Sequence, residues 1–417
     1  MYNREQTKIW EVFPRSESLG EPANARRDRR MPADCQICRR QVIQMKKILL
    51  VTSAYTGAGH KSISDALSEQ FAKLPDVQVE VIDGFELMGE IGVQSSKLYG
   101  FVTRRARAVW KMAWHFTMAQ KPRFTTMAHL GNRRFTDYIR KYHPDLILTV
   151  HPMFNATLTR ILEFHGLHIP VVVLQADLIN IHRAWCNPQA TMTICPTREA
   201  YDCSVRLGMR PDQLVVLGFP TRERFCSAAR AAHIPDYDGS RPLRCLMMSG
   251  GEGSGNLRAY ADAILDNTNA SLTIICGRNK KLRKQLRASL GSRYGERINV
   301  LGFVTEVEQE MLKSDLIIAR GSPNSMLEAV IMNVPLVITG ALPGQERDNP
   351  LLMQNNNLGV ISEDPDDMPL VLRDLLYNGG ARLKEIRAAQ REYRNFDNAR
   401  TIAEYVANMT APLEYTI

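Results

Sequence analysis

A histidine at the end of a glycine-rich turn is the first candidate for chemistry in this chain. His60 closes the run Thr56-Gly57-Ala58-Gly59-His60, which follows a short apolar segment and precedes a helix-like one. Glycines allow a tight turn, and a helix N-terminus offers free N–H groups to a phosphate or a developing oxyanion. A histidine there, with an ordinary pKa of about 6.5, could act as a general base. The spacing equally allows His60 to be a simple helix cap.

A second glycine-rich loop occupies the equivalent position later in the chain. It again follows an apolar run and precedes a helix-like segment, and its candidate residues are Gly250, Gly251, Glu252, Gly253 and Gly255. Such a loop forms a nest of backbone N–H groups suited to a diphosphate. It is not a Walker A loop, because no Gly-Lys-Ser/Thr follows it. A plain flexible loop is the alternative.

Two further polar segments could contact a sugar nucleotide. In the first, Ser325 and Glu328 lie one turn apart on a predicted helix, where the carboxylate could accept both hydroxyls of a ribose. The same spacing also fits a capping box. In the second, Gln345 and Glu346 could hydrogen-bond sugar hydroxyls.

The elements that must position these residues form two series. Short apolar runs alternate with amphipathic stretches, six runs between Ile48 and Leu217 and five between Cys245 and Ile338. Continuous apolar runs indicate parallel strands covered by helices on both faces, so the fold class is α/β with two doubly wound, Rossmann-like domains facing a cleft. The predicted divisions are a basic extension at 1–44, an N-terminal domain at 45–220, a linker at 221–242, a C-terminal domain at 243–395, and a helix at 396–417 that returns toward the N-terminal domain.

Composition limits the class of protein. The 417 residues are 44% hydrophobic and 23% charged, and no apolar stretch reaches the roughly 18 residues of a membrane-spanning helix. The net charge of +9 favours anionic partners. Several of the eight cysteines lie in strand-like runs, as expected for reduced thiols of a cytoplasmic protein. The pair Cys35 and Cys38 has no second pair to complete a zinc site.

Much of the positive charge is concentrated between Lys97 and Lys141, where eleven Lys or Arg residues accompany a single acid, Asp137. A helical projection puts apolar residues on one arc, interpreted as facing the core: Leu98, Phe101, Val102, Val109, Met112, Ala113 and Phe116. The opposite arc, interpreted as a membrane surface, carries Arg104, Arg107, Trp110, Lys111, Trp114 and Met118. A solvated basic face is the alternative. Nucleic acid is not expected as a partner, because the chain has no RNP, KH or zinc-finger pattern.

Taken together, these segments resemble the monogalactosyldiacylglycerol synthase and processive diacylglycerol glucosyltransferase family, with the peptidoglycan transferase MurG as a more distant relative. The resemblance extends from about Lys46 to beyond Gly359. It is carried, in chain order, by Thr56–His60, His151-Pro152, Asp177-Leu178 with His182 and Trp185, Gly251–Gly253, Cys276–Asn279, Gly302–Thr305, and Pro343–Glu346 with Asn349.

The resemblance implies a GT-B fold in which the C-terminal domain holds most of the UDP-sugar. It implies the base near Phe303 and Val304, the ribose at Glu328, the diphosphate at Gly250–Gly255, and the sugar at Gln345 and Glu346, with Arg278 and Ser325 in the same site. It also implies an acceptor and phosphate loop made of Thr56, Gly57, Gly59, His60, His151, His182 and Trp185. One departure concerns Asn324, which stands where the family usually has glycine and leaves less room beside the phosphates.

The predicted reaction is inverting transfer of a hexose, glucose or galactose, from a UDP-sugar to diacylglycerol or a related lipid at the inner face of the cell membrane. His60 is the expected base, and Asp177 is expected to orient the acceptor or a partner histidine. No cofactor or metal is required, because the glycine loop and helix dipoles can stabilise the leaving diphosphate. The alternatives are a UDP-GlcNAc transferase acting on a polyprenyl lipid, and a GT-B UDP-sugar 2-epimerase.

Overall fold

The computed structural model describes residues 45–54, 56, 58–105, 112, 114, 116–118, 125–248, 256–344 and 346–409. Within these ranges the side chains of 99–105 and 125–129 are not described. The predicted extension at 1–44, and with it the Cys35 and Cys38 pair, lies outside the described residues.

The first half of the chain builds a six-stranded parallel sheet in the order β2-β1-β3-β4-β5-β6. The middle strands are buried on both faces, as their continuous Val, Ile and Leu runs predict. The strands are β1 Lys46–Thr52, β2 Val77–Asp83, β3 Leu146–Thr149, β4 Val171–Leu174, β5 Met192–Cys195 and β6 Leu214–Val216. The helices are α1 Ala58–Phe71, α2 Gly84–Leu87, α3 Gly89–Arg105, α4 Thr125–Tyr142, α5 Pro152–Phe164 and α6 Arg198–Arg206.

The second half builds another six-stranded parallel sheet, in the order β12-β11-β10-β7-β8-β9. Its strands are β7 Arg244–Met248, β8 Ser271–Ile275, β9 Ile298–Leu301, β10 Leu316–Ala319, β11 Leu336–Ile338 and β12 Val360–Ile361. Its helices are α8 Leu257–Asn267, α9 Lys280–Tyr294, α10 Val307–Leu312, α11 Pro323–Met332, α12 Asn349–Asn355 and α13 Met368–Tyr393. The predicted α/β class with two doubly wound sheets is confirmed. The two-residue strand β12 is not predicted, because so short a run has no recognisable periodicity.

The predicted linker and the last helix both pack against the rest of the chain. The predicted linker at 221–242 contains helix α7 (Glu223–Ala231), whose Phe225 and Cys226 are buried. The last helix, α14 (Asn398–Asn408), packs on α1, and the Lys46 ammonium donates to the Ala407 carbonyl at 2.7 Å. The C-terminal helix is thereby attached to the first strand of the chain.

Among the described residues, none of the helices is long and apolar enough to cross a membrane.

Candidate active site

His60 lies in the first turn of α1, immediately beyond the carboxyl end of β1. Its Nδ1 is 2.7 Å from the Val150 carbonyl oxygen. Because a carbonyl can only accept, Nδ1 carries the proton and the neutral ring keeps Nε2 as an acceptor. Burial lowers the pKa of His60 to about 4, although the bond to Val150 opposes this shift. His60 is therefore neutral at neutral pH, with an unprotonated nitrogen that can take up a proton.

A second histidine is hydrogen-bonded to the glycine-rich turn. His151 caps α5 by accepting from the Met153 N–H at its Nδ1, so its Nε2 carries the proton and donates to Thr56 Oγ1 at 3.2 Å. The Thr56 hydroxyl in turn donates to Ser53 Oγ at 3.0 Å. The rings of His60 and His151 meet edge to face, with centroids 4.5 Å apart. Burial, followed by the proximity of His60, holds the pKa of His151 well below its ordinary value. His151 thus positions Thr56 and the turn that carries His60.

Asp177 and Trp185 form a buried pair beside these histidines. The Trp185 indole N–H donates to Asp177 Oδ2 at 2.6 Å, and both residues are at most 2% exposed. The Trp185 ring lies 6.2 Å from the His60 ring, centroid to centroid. The carboxylate therefore fixes the indole that forms one wall of the His60 pocket. The predicted role of Asp177 toward an acceptor remains a prediction.

His182 connects this wall to the segment at 112–118. Its Nδ1 accepts from the Ala184 N–H, so its Nε2 donates to Thr117 Oγ1 at 3.1 Å. Its ring lies 4.4 Å from that of Trp114, centroid to centroid. Burial, with a smaller contribution from Arg183, lowers the pKa of His182 to about 4. A neutral His182 thus holds Trp114 against the site.

The predicted faces of the basic segment are wrong at the residues that the structure describes. Trp114, assigned to the membrane surface, is only 6% exposed, whereas Leu98, Met112 and Phe116, assigned to the core, are more than 60% exposed. The reason is tertiary: Trp114 packs on Gly344 of the loop that carries Gln345 and Glu346. The outward face at these positions is consequently apolar.

On the opposite side of the cleft, Glu328 lies buried in α11 and is already paired. Arg222 donates to Glu328 Oε1 at 2.6 Å from the predicted linker. Burial raises the pKa of Glu328, and the charges of Arg222 and Arg224 oppose that rise. The helix begins at Pro323 with Ser322 as its N-cap residue, so Ser325 and Glu328 do not form the capping box that their spacing allows. Glu328 therefore pairs with Arg222 instead of capping its own helix.

The residues predicted to contact the sugar and the base lie around the same edge of the second sheet. Glu346 accepts from Arg320 at 3.2 Å and from the Leu342 N–H at 3.0 Å. Arg278 stacks over the Phe303 ring with its guanidinium carbon 4.5 Å from the centroid, and Phe303 is 54% exposed. An exposed aromatic ring beside a guanidinium plane suits stacking of a planar base.

Asn324, which stands where the family usually has glycine, forms a hydrogen bond between the two halves of the site. Its Nδ2 donates to the Gly59 carbonyl oxygen at 3.4 Å. A Cβ at Gly59 would lie 3.2 Å from the same nitrogen, so the glycine allows this close approach. The N-terminal turn of α11 is therefore within hydrogen-bonding distance of the turn that carries His60.

Several contributors were missed by sequence reasoning. Arg222 and Arg320 pair with Glu328 and Glu346, and the Val150 carbonyl sets the His60 tautomer. Charge complementarity to Glu328 was a usable signal for Arg222, but the sequence does not indicate which of the many arginines is near. A backbone carbonyl has no sequence signal at all.

Several predicted site residues lie outside the described residues. They are Gly57, Gly250, Gly251, Glu252, Gly253, Gly255, Gln345, Arg107, Trp110 and Lys111, and the Arg104 side chain is likewise not described.

The two Rossmann-like sheets, each of six parallel strands, define a protein of the GT-B fold class. Solved structures show the same fold: MurG of Acinetobacter baumannii has a TM-score of 0.59 at 13% identity and covers 87% of this chain and 100% of its own. MnaA of S. aureus, solved with UDP, has a TM-score of 0.59 at 16% identity and covers 87% of this chain and 96% of its own.

The chain belongs to the monogalactosyldiacylglycerol synthase family. The model of that synthase matches residues 60–221, and the model of glycosyl transferases group 1 matches residues 256–378. The probable monogalactosyldiacylglycerol synthase 2 of Oryza sativa subsp. japonica is 31% identical over 351 residues, which are 79% of this chain and 73% of the relative. The synthase 1 of Arabidopsis thaliana is 29% identical over 352 residues, 79% of this chain and 64% of the relative. The predicted resemblance is confirmed.

Three neutral histidines in the site predict a loss of stability in mild acid. The pKa values of His60 and His182 are lowered to about 4 and that of His151 is lowered well below its ordinary value, whereas an unfolded chain titrates its histidines near about 6.5. Below about pH 6.5 the unfolded chain therefore binds protons that the folded chain does not. The free energy of unfolding should fall as pH is lowered toward 4, by up to about 1.4 kcal/mol per pH unit for each histidine. Urea unfolding at a series of pH values measures this slope.

His182→Gln removes one titrating group and serves as the control, since its slope should be shallower than that of the parent chain. A free energy of unfolding that stays constant between about pH 7 and about pH 5 would contradict the expectation.

The pair of Arg222 and Glu328 predicts a pH-dependent donor site. In Arg222→Met the buried carboxylate loses its partner, so its pKa rises further and it becomes protonated at a higher pH. UDP affinity should fall about tenfold near pH 7 and more at lower pH, and the free energy of unfolding should fall by about 2 kcal/mol. Calorimetric titration with UDP and urea unfolding measure the two effects.

Arg210→Met is the matched control, because Arg210 and its partner Asp212 are both more than 60% exposed. Equal UDP affinity in Arg222→Met and Arg210→Met would show that Arg222 does not contribute to UDP binding.

Proposed function

We propose that this enzyme transfers a hexose from a UDP-hexose to the hydroxyl of diacylglycerol or a closely related lipid, with inversion at the anomeric carbon. Membership of the monogalactosyldiacylglycerol synthase family supports the lipid acceptor. The observation that carries the proposal is the state of His60: its Nδ1 proton is bound to the Val150 carbonyl, which leaves Nε2 as an acceptor, and Asn324 of the second half hydrogen-bonds to the neighbouring Gly59.

The reaction is a single displacement. The acceptor hydroxyl oxygen attacks the anomeric carbon while the bond between that carbon and the UDP oxygen breaks, and His60 Nε2 takes the hydroxyl proton. The electron pair of the broken bond leaves with UDP, so one bond forms, one breaks and one proton is transferred. The lowered pKa of His60 ensures that its neutral form is present at neutral pH.

The donor is held by residues of the second half of the chain. Phe303 and Arg278 offer a stacking surface for the base, and Glu328 can accept the ribose hydroxyls. The N-terminus of α11 presents free N–H groups and a positive dipole, and the predicted Gly250–Gly255 loop would add further donors to the departing diphosphate. Glu346, with the predicted Gln345, would accept from sugar hydroxyls.

We further propose that the enzyme works as a peripheral protein at the inner face of the cell membrane. The segment from Lys97 to Lys141 combines eleven basic residues with one acid. At its described positions the outward side chains Leu98, Met112 and Phe116 are apolar. Cations beside exposed apolar side chains fit an anionic lipid interface.

Incubation with UDP-galactose, UDP-glucose and UDP-GlcNAc, each with diacylglycerol in vesicles, tests the proposal when lipid products are identified by mass spectrometry. A hexosyl-diacylglycerol is the expected product. Release of a free 2-epimer without lipid would instead identify an epimerase, and transfer only to a polyprenyl acceptor would identify a MurG-like enzyme. Either result would overturn the proposed acceptor.

A further inference from the structure

A cavity of about 500 Å³ lies between the predicted linker and helices α11 and α13. Its lining, among the described residues, includes none of the side chains assigned above to catalysis or donor binding. Its lining combines the apolar residues Ala232, Ile234 and Met332 with three arginines. The cavity is therefore separate from the donor site and has its own chemistry.

The cationic part of the lining is built at the end of α13. Arg387 and Arg391 lie one helical turn apart on α13, and Arg394 is the residue that follows the helix, with extended backbone; all three line the cavity. Arg387 and Arg391 both donate to the side-chain oxygen of Asn333, at 3.4 Å and 3.2 Å. Two guanidinium groups are therefore held around a single amide oxygen.

The charges of these arginines are not balanced within the cavity. Among the described lining residues Asp236 is the one carboxylate, and it pairs with Arg387 at 2.8 Å. Burial, and then the charges of Arg391 and Arg387, lower the pKa of Arg394. Like charges held this close repel one another, and an added anion would relieve the repulsion.

Ordinary structural roles explain two of the three arginines. Arg387 binds the predicted linker by donating to the Ile234 and Pro235 carbonyls at 2.6 Å and 2.8 Å. Arg394 donates to the Ile331 carbonyl at 3.1 Å, near the C-terminus of α11, where a cation is favourable. Arg391 is exposed, shares the Asn333 oxygen with Arg387, and its charge disfavours the charged forms of both neighbouring arginines.

We propose that this cavity binds a phosphate monoester carrying an apolar substituent, with the phosphate held by Arg391 and Arg394 and the substituent against Ala232, Ile234 and Met332. Guanidinium groups match phosphate oxygens with paired, charge-assisted hydrogen bonds. The apolar part of the lining adds affinity that a bare phosphate cannot use. Such a ligand would contact the linker between the two sheets as well as α13.

Isothermal titration of the full chain with hexyl phosphate and with inorganic phosphate tests the proposal. Excess UDP is present throughout, so that the donor cleft is already occupied. Hexyl phosphate should bind at one site, and about tenfold more tightly than inorganic phosphate. Its affinity should fall at least about tenfold in Arg391→Gln and in Arg394→Gln. Vesicles carrying a phosphomonoester headgroup, compared with the soluble probe, distinguish a lipid source from a soluble one.

Arg373→Gln is the matched control, because Arg373 is an exposed arginine on the same helix and outside the cavity lining. It should leave hexyl phosphate affinity unchanged. The exposed position of Arg391 keeps the test valid even if Arg394→Gln fails to fold. Equal affinity in the parent chain and in Arg391→Gln, or no binding of hexyl phosphate to the parent chain, would overturn the proposal. Failure to bind UDP would instead count against the proposed donor.

Discussion

Replacing His60 with alanine is expected to lower kcat by about 100-fold to 10,000-fold, the usual contribution of a positioned general base. UDP affinity should change little, because the imidazole belongs to the first half of the chain and the nucleotide contacts belong to the second. The physical reason is the tautomer: the Nδ1 proton is held by the Val150 carbonyl, which leaves Nε2 to accept from the acceptor hydroxyl. Initial rates with UDP-galactose and diacylglycerol vesicles, together with UDP titration, measure both quantities.

The pH profile of the parent enzyme gives an independent readout of the same assignment. Only the neutral form of His60 can accept a proton, and its pKa is lowered to about 4, so kcat should not fall on lowering the pH from about 8 to about 6. A base with an ordinary histidine pKa would produce an inflection near about 6.5. His143→Ala removes a histidine at the end of α4 and serves as the control. Turnover by His60→Ala close to that of the control would show that His60 is not the base.

Replacing Gly344 with alanine is expected to raise the KM for UDP-hexose by about 10-fold to 100-fold. A Cβ at this position would lie 2.6 Å from Cγ of Trp114, so the loop or the indole must move. The neighbouring Glu346 would then lose its place beside Arg320. Because the predicted contacts of this loop are with the sugar, affinity for UDP should change far less than affinity for the UDP-hexose. Binding of the two ligands by calorimetry separates these effects.

Gly340 provides a close control for this substitution. Gly340 and Gly344 both have positive φ, +104° and +88°, but a Cβ at Gly340 meets no atom within 4 Å. Gly340→Ala therefore introduces similar backbone strain without the collision. Combining Gly344→Ala with Trp114→Ala should restore part of the UDP-hexose affinity, since the smaller side chain removes the obstacle. No recovery in the double variant, or an equal loss in Gly340→Ala, would show that the contact with Trp114 is unimportant.

Sequence patterns predicted the strands well because the middle strands are buried on both faces and read as continuous apolar runs. The runs beginning at Ile48 and at Cys245 lie within β1 and β7, and the glycine-rich run leads into α1, which begins inside it at Ala58. The turn is also predictable for a local reason, since strand, glycines and helix are contiguous in the chain. The family resemblance then identified which turns belong to one site.

The orientation of the segment at 112–118 could not be predicted in the same way. A helical projection separates two arcs but does not say which one is buried, because that depends on the partner surface. Here the partner of Trp114 is Gly344, which is distant in sequence. Tryptophan beside cations indicated a lipid interface, yet its large apolar surface is better buried against a loop that has no side chain at the contact. The pairing of Arg222 with Glu328 was missed for the same reason.

The contact between Trp114 and Gly344 also has a thermodynamic consequence. One side of this short segment carries exposed Met112 and Phe116, and the other side rests on the loop beside Glu346. Binding at either side can therefore displace the same short segment. For the membrane docking proposed above, reciprocity requires that the factor by which docking changes donor affinity equals the factor by which the donor changes membrane affinity. Vesicle partitioning measured with and without UDP-hexose therefore gives the same coupling free energy as donor affinity measured with and without vesicles.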